Sequence, residues 1–368
     1  MKRKIILSGG GTGGHIYPAV AVAEALTRRF GSDVEILFVG AEGKMEMEKV
    51  PQLGYNIVSL PIAGLQRRLE WRNLLLPIKV IQSVGRAKDV IRNFGADIVV
   101  GFGGYASAPI LWSAGKLGVP TLIQEQNSYA GLTNKIVAKY ARTICVAYEG
   151  MERFFPKANI VMTGNPLRGN FSVVERLREE ALEFFGLEAS RPVVLVVGGS
   201  LGTRTLNNMM MEWIESEYTA EDGVQVIWQT GKFYEAEMRE FLEDKPTIGI
   251  WQGAFLERMD LAYAAADIVI SRSGACTVSE LSLVGKPTIF VPSPNVSEDH
   301  QTKNAMALVS KQAALMVSDT EAKTKAMPLA IDTLKDPVMM ATLRSNISAM
   351  AFPNSAEMIV DEIVKIIG

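Results

Sequence analysis

Two consecutive doubly wound α/β domains are predicted by three features of the sequence. The strand candidates are continuous Val/Ile/Leu runs, which mark strands buried on both faces, as in parallel sheets. Helical patterns separate them, for example at 18–30 and 78–94. The series also restarts halfway: Ile5-Ile6-Leu7-Ser8-Gly9-Gly10 and Val194-Leu195-Val196-Val197-Gly198-Gly199 read alike, each a strand running into a glycine loop. A chain of 368 residues, 48% hydrophobic and 21% charged, has the length and composition for two globular domains.

In the first half, strands are expected at 4–8, 35–40, 57–60, 98–101, 121–124, 143–147 and 160–163. The opening run, Ile5 to Leu7, is too short for a signal-peptide core and ends in glycines. In the second half, strands are expected at 192–197, 224–229, 247–252, 268–271 and 288–291. Gly164, Asn165, Pro166 and Gly169 cluster between the halves and mark the boundary. The expected division is an N-terminal domain over 1–166, a C-terminal domain over 167–350, and a closing helix over 351–368. That helix can pack on either domain and is assigned here to the N-terminal one.

Composition removes several chemistries. The net charge of −2 argues against a dedicated nucleic-acid binder. Two cysteines, Cys145 and Cys276, cannot form a disulfide framework and suit a reducing compartment. Two histidines, His15 and His300, cannot build a three-His zinc site. No run of about 18 apolar residues predicts a membrane-spanning helix. The near-neutral charge conceals one basic stretch. Over 61–92, seven basic residues (Arg67, Arg68, Arg72, Lys79, Arg86, Lys88, Arg92) face two acidic ones, with leucines, isoleucines and Trp71 among them. That pattern suits either an ordinary amphipathic helix or a surface resting on anionic lipid.

The glycine loops carry the chemistry. Gly9-Gly10-Gly11-Thr12-Gly13-Gly14-His15 follows a strand and precedes a helix. Glycines permit close backbone approach, and a helix N-terminus offers N–H groups to a phosphate or diphosphate, with Thr12 adding a hydroxyl. The Gly-x-Gly-x-x-Gly spacing also fits a dinucleotide fingerprint, but the nearest acid after the second strand, Glu42, lies 28 residues past Gly14 rather than about 20. The Gly-Lys-Ser/Thr ending of a P-loop is missing. His15 enters the helix where N–H groups disfavour its cation, so its imidazole suits a general base. The loop Gly198-Gly199-Ser200-Leu201-Gly202-Thr203-Arg204 repeats the anion-binding logic. A third loop, from Ser271 through Gly274, should start a helix at 275–277. Glu280, three residues beyond Thr277, could accept a ribose diol or simply favour the helix dipole. The loops after the strands at 98–101 and 121–124, and the polar loop carrying His300, also lie where α/β sheets place ligands.

Taken together, Gly9 to Ala19, Gly103-Gly104-Tyr105-Ala106-Ser107, Glu125-Gln126-Asn127, Gly131 to Lys135, Gly164 to Arg168, Gly198-Gly199-Ser200, Arg272 to Glu280 and Asp299-His300-Gln301 occur in the order found in a known family. The chain resembles the MurG family of peptidoglycan glycosyltransferases from about residue 4 to the C-terminus. The resemblance implies a GT-B fold, α/β with two Rossmann-like doubly wound domains facing a cleft. It implies inverting transfer of N-acetylglucosamine from UDP-GlcNAc to the C4 hydroxyl of MurNAc in undecaprenyl-linked lipid I, giving lipid II. It places donor contacts on Thr12, Gly13, Gly14, Asn127, Arg168, Ser200, Leu256, Ala275, Cys276, Thr277, Val278, Ser279, Glu280 and Gln301. It places acceptor contacts on Gly103, Gly104, Tyr105, Ser107 and Asn134. His15 is the favoured base and Glu125 the alternative. Leu256 stands where a relative has Ile, and Cys276 replaces a more usual aliphatic residue, both at positions where backbone contacts are expected.

No Asp-x-Asp motif of a metal-dependent transferase occurs, so no cofactor is expected. The implied partners are UDP-GlcNAc, lipid I, the inner leaflet of the cytoplasmic membrane and cell-wall synthesis proteins, with no nucleic acid. The implied location is peripheral, on the cytoplasmic face. The competing readings are an NAD-dependent oxidoreductase, a different GT-B transferase and a non-catalytic sugar-nucleotide sensor.

Overall fold

The continuous apolar runs become parallel strands with both faces covered. The computed structural model describes residues 2–62, 76–169, 174, 176–199, 201–216, 223–245 and 247–368. Arg67, Arg68, Trp71 and Arg72 of the basic stretch, and Ser200, lie outside the described residues. The chain divides into two compact units, Met1–Arg168 with Phe352–Gly368, and Gly169–Ala351.

The first unit runs β1 (Arg3–Ser8), α1 (Gly13–Phe30), β2 (Val34–Ala41), α2 (Glu46–Gln52), β3 (Asn56–Leu60), α3 (Leu76–Phe94), β4 (Ile98–Gly101), α4 (Ser107–Leu117), β5 (Thr121–Glu125), α5 (Leu132–Val137), β6 (Ala141–Val146) and β7 (Ile160–Met162). Its strands pair in the order β3-β2-β1-β4-β5-β6-β7, all parallel. The second unit runs α6 (Arg178–Phe185), β8 (Val193–Val197), α7 (Arg204–Ser216), β9 (Gln225–Gln229), α8 (Glu235–Leu242), β10 (Ile250–Gly253), α9 (Met259–Ala265), β11 (Ile268–Ser271), α10 (Ala275–Val284), β12 (Thr288–Phe290), α11 (His300–Val309), β13 (Leu315–Met316), α12 (Ala322–Leu334) and α13 (Pro337–Ser348). Its strands pair in the order β10-β9-β8-β11-β12-β13, again all parallel.

The weak self-similarity of the sequence has a counterpart in hydrogen bonding. In the first unit Lys4 N donates to Asp97 Oδ2 at 2.7 Å, and Asp97 N donates to Lys4 O at 2.8 Å. In the second, Val193 N donates to Asp267 Oδ2 at 2.9 Å, and Asp267 N donates to Val193 O at 2.8 Å. Each aspartate thus clasps the two central strands at their N-terminal edge, leaving the C-terminal edge to the glycine loops.

Most expected strands match to within a residue or two, and the departures have local causes. The strand expected from 247 starts at Ile250, because Gly249 takes φ +79°, outside the extended region. Helix α1 starts at Gly13 rather than 18, since Thr12 O accepts from His15 N and Ile16 N and draws both glycines into the first turn. Strand β13 has two residues and no periodicity to read.

The last helix, α14 (Ser355–Ile367), belongs to the first unit. Ala356, Ile359, Val360 and Ile363 recur at helical spacing and join the core formed by Ile5, Leu7 and Val100. Arg28 of α1 holds Glu357 at 2.8 Å, and Arg29 holds Asp361. The apolar stripe supplies the energy and the exposed ion pairs set register. Ile363→Ala should therefore destabilise the first unit by about 2–5 kcal/mol in denaturant unfolding, the range for truncating a buried Ile.

Candidate active site at the strand ends

In a doubly wound sheet the crossovers of two central strands leave toward opposite faces, and their diverging loops open a crevice at the C-terminal edge. In the first unit these are the loops after β1 and β4. Phe102 N donates to Ser8 O at 2.7 Å. A Cβ on Gly104 (φ +75°) would stand 2.2 Å from Gly10 O, so the two loops touch only because residue 104 is glycine. Gly13 and Gly14 open α1, and His15 is its third residue. Thr12 Oγ1 lies 3.0 Å from His15 Nδ1. When Nδ1–H donates to that hydroxyl, Nε2 is the basic nitrogen. Gly103 makes room for the imidazole: its Cβ would fall 3.3 Å from Nε2 and 3.5 Å from Asn134 Nδ2.

Glu125 ends β5 and is 1% exposed. Its carboxyl accepts from Asn127 N (3.1 Å), Asn127 Nδ2 (3.4 Å), Gly131 N (3.0 Å) and Asn134 Nδ2 (2.8 Å). Burial pushes its pKa up, and these donors pull it partly back. Saturated in this way, Glu125 orients Asn127 and Asn134. Asn134 is itself buried, and its Oδ1 has no hydrogen-bond partner among the described residues. Ser107 is buried, and its hydroxyl is used on Gly104 O at 3.0 Å, so it shapes the loop.

One carboxylate in this cluster was not expected from the sequence. Glu42 is on the surface, 3.6 Å from Arg86. The acid that enters the glycine loop is Glu46, buried on α2 and accepting from Ala41 N and Gly11 N. The available signal was a carboxylate on the same helical face as Val50, the other buried residue of α2.

In the second unit the loops after β8 and β11 border a cavity of about 460 Å³, lined among others by Gly199, Thr203, Arg272, Thr277 and Gln301. Helix α10 begins at Ala275 with Gly274 as its extended N-cap. Its start is held by α11: Ser273 Oγ donates to Gln301 O (2.8 Å) and Asn304 Nδ2 to Ser273 O (3.3 Å). Gln301 Oε1 accepts from Ser293 N at 2.9 Å. Arg272 is fixed by Asp319 at 2.6 Å and by Val291 O at 2.7 Å, while Thr205 also donates to Asp319. Leu256 is buried, as is Val278 in α10.

Three expectations change here. The helix after the second glycine loop begins only at Arg204, so the amides of residues 201–203 belong to the loop rather than to a helix start. Arg168 is not a free cation but is paired with Glu24 in the first unit at 3.1 Å. Glu280 is the sixth residue of α10, beyond the first turn where a dipole effect operates.

Glu280 instead meets Tyr263, whose hydroxyl donates to Oε2 at 3.0 Å. Burial raises the Glu280 carboxyl to about 7, and the Tyr263 hydrogen bond offsets only part of this. Tyr263 is pushed well above its usual range by burial and by Glu280. Cys276 is pushed up to about 12 by the same two causes, so its thiol is a poor nucleophile. A carboxyl whose pKa is raised on folding contributes stability below the unfolded value of 4.5, lost as pH rises through about 7. Glu280→Gln should flatten that part of the stability–pH curve between about pH 4.5 and 7, as read from denaturation midpoints.

Comparisons with known proteins agree with this architecture. Residues 5–146 match the glycosyltransferase family 28 N-terminal domain and residues 193–359 its C-terminal domain. A Parabacteroides distasonis protein named UDP-N-acetylglucosamine–N-acetylmuramyl-(pentapeptide) pyrophosphoryl-undecaprenol N-acetylglucosamine transferase is 52% identical over 366 residues, covering 100% of this chain and 99% of its own. A Bacteroides fragilis protein of the same name is 50% identical over 364 residues, covering 99% and 95%. The crystal structure of Acinetobacter baumannii MurG superposes with a TM-score of 0.79 at 28% identity over 99% of each chain. The calicheamicin glycosyltransferase CalG4, at 14% identity and a TM-score of 0.71, shares the fold. With both family domains matched and full-length relatives at about half identity, the chain belongs to glycosyltransferase family 28.

Proposed function

We propose that the protein transfers N-acetylglucosamine from UDP-GlcNAc to the C4 hydroxyl of MurNAc in lipid I, forming the β-1,4 bond of lipid II. The observation that carries this reading is the near-complete, roughly half-identical match to transferases of that name. The MurNAc C4 oxygen attacks the anomeric carbon of the donor sugar as the bond from that carbon to the diphosphate breaks. The bonding pair leaves with UDP, and the hydroxyl proton passes to His15 Nε2. Thr12 orients the imidazole through Nδ1. Glu125 orients Asn134 and Asn127 beside it.

Donor recognition falls to the second-unit cavity. The first N–H groups of α10 and the loop amides after β8 receive the diphosphate. Glu280 accepts the ribose diol, Leu256 lies against the uracil and Gln301 meets the sugar. In a radiolabelled transfer assay with a lipid I analogue, His15→Ala should lower kcat by about 100-fold or more with UDP-GlcNAc affinity nearly unchanged. Wild-type turnover would remove His15 from the chemistry. Glu280→Ala should instead weaken UDP-GlcNAc binding by about tenfold or more, the worth of a charge-assisted pair.

A lipid-borne acceptor requires the enzyme to work at a membrane surface, and we place it peripherally on the cytoplasmic face. No helix among the described residues is long and apolar enough to cross a membrane. Helix α3 supports surface binding: Ile78 and Ile81 are 54% and 72% exposed on an element that also carries Lys79, Arg86, Lys88 and Arg92. The protein should sediment with anionic phospholipid vesicles more than with zwitterionic ones. Ile78→Asp with Ile81→Asp should lower that binding about fivefold or more. Equal sedimentation of the double variant would sink the assignment of α3.

A further inference from the structure

A buried carboxylate forms the floor of the first glycine loop, and the surrounding backbone is shaped to admit it. Glu46 is 1% exposed. Its Oε1 accepts from Ala41 N at 3.0 Å and its Oε2 from Gly11 N at 3.2 Å. A Cβ on Gly10 would fall 2.2 Å from Oε1, and one on Gly40 would fall 2.5 Å from Cγ. Two glycines, one on each neighbouring strand end, are therefore required by the same side chain. Gly11 takes φ +89°, and the ring of Tyr105 lies 3.2 Å from where its Cβ would be.

A carboxylate beside a loop whose amides suit a phosphate opposes anion binding there. A neutral side chain would tie the strand end without that penalty, so the acid needs another justification. Its effect on the loop supplies one. With the Gly11 N–H turned inward to Oε2, the next peptide is committed, and Thr12 follows directly. Thr12 O caps α1 by accepting from His15 N (3.1 Å) and Ile16 N (3.3 Å), while its hydroxyl meets His15 Nδ1 at 3.0 Å. The covalent path from the clamped amide to the imidazole spans only Gly11 to His15. Ala41 N anchors the other end of the clamp to β2, next to β1 in the sheet.

We propose that Glu46 is a positioning residue for His15, its carboxylate holding the Gly11 amide and so fixing Thr12 and the imidazole that Thr12 orients. The proposal rests on the reading of His15 as the base. Glutamine at 46 keeps the volume but turns an amide NH₂ toward one of the two backbone N–H groups, so one end of the clamp opens. Gly10→Ala pushes a methyl into the carboxylate without changing charge and opens the clamp a second way.

The chain has only two histidines, so the ring resonances of His15 are assigned by their loss in His15→Ala, leaving those of His300. In Glu46→Gln the His15 resonances should move while those of His300 stay. The kcat for transfer should fall about tenfold or more, with the UDP-GlcNAc dissociation constant within about twofold of wild type. If Glu46→Gln does not fold, Gly10→Ala is expected to give the same pattern. A folded variant with unmoved His15 resonances overturns the proposal, as does unchanged kcat where His15→Ala is inactive. Wild-type turnover in His15→Ala is a separate failure, of the base reading; the positioning of His15 by Glu46 is then decided by the resonances alone.

Discussion

Two neighbouring parallel strands whose crossovers depart to opposite faces cannot share a connection, and the gap between their ends is bordered by the loops that leave them. Both units are organised by that constraint, between β1 and β4 in the first and between β8 and β11 in the second. Asp97 and Asp267 lock these strand pairs at the N-terminal edge through the same two hydrogen bonds. At the other edge the backbone packs so closely that glycine is required. A Cβ on Gly104 would meet Gly10 O across the first crevice. Amides and helix starts face the crevice together with the side chains these loops carry, His15 in the first unit and Arg272 and Thr277 in the second.

Three carboxyls near the strand ends differ in the donors that meet them. Glu125 receives four N–H donors, which oppose the upward pull of burial. Glu280 receives the Tyr263 phenol, and burial carries it to about 7. Glu46 receives two backbone amides, one from each of two adjacent strand ends. The same functional group thus serves as an organiser, a titrating acceptor and a clamp, according to what surrounds it.

Much of this was legible in the residues. The apolar runs marked nearly every strand, the glycine clusters marked the crevice loops, and the break after Gly274 marked the start of α10. His15 fell beside Gly103 and Asn134, as a shared site would need. Other features were not legible, because each depends on a partner distant in sequence. Arg272 is held by Asp319, Arg168 by Glu24, and Glu280 by Tyr263. Glu42 had the plausible position after a strand, yet Glu46, one helical turn later, turns inward.

The sequence by itself determined the order of elements, the duplication of the doubly wound plan and the residue types at each strand end. Those properties follow from local periodicity and from backbone freedom at glycine, which neighbouring residues express without help from the rest of the chain. Which carboxyl is clamped, which meets a phenol and which is left in solvent came from long-range packing. Burial and hydrogen-bond partners are set by segments tens or hundreds of residues apart, and the cost of desolvating a charge depends on those partners rather than on sequence position.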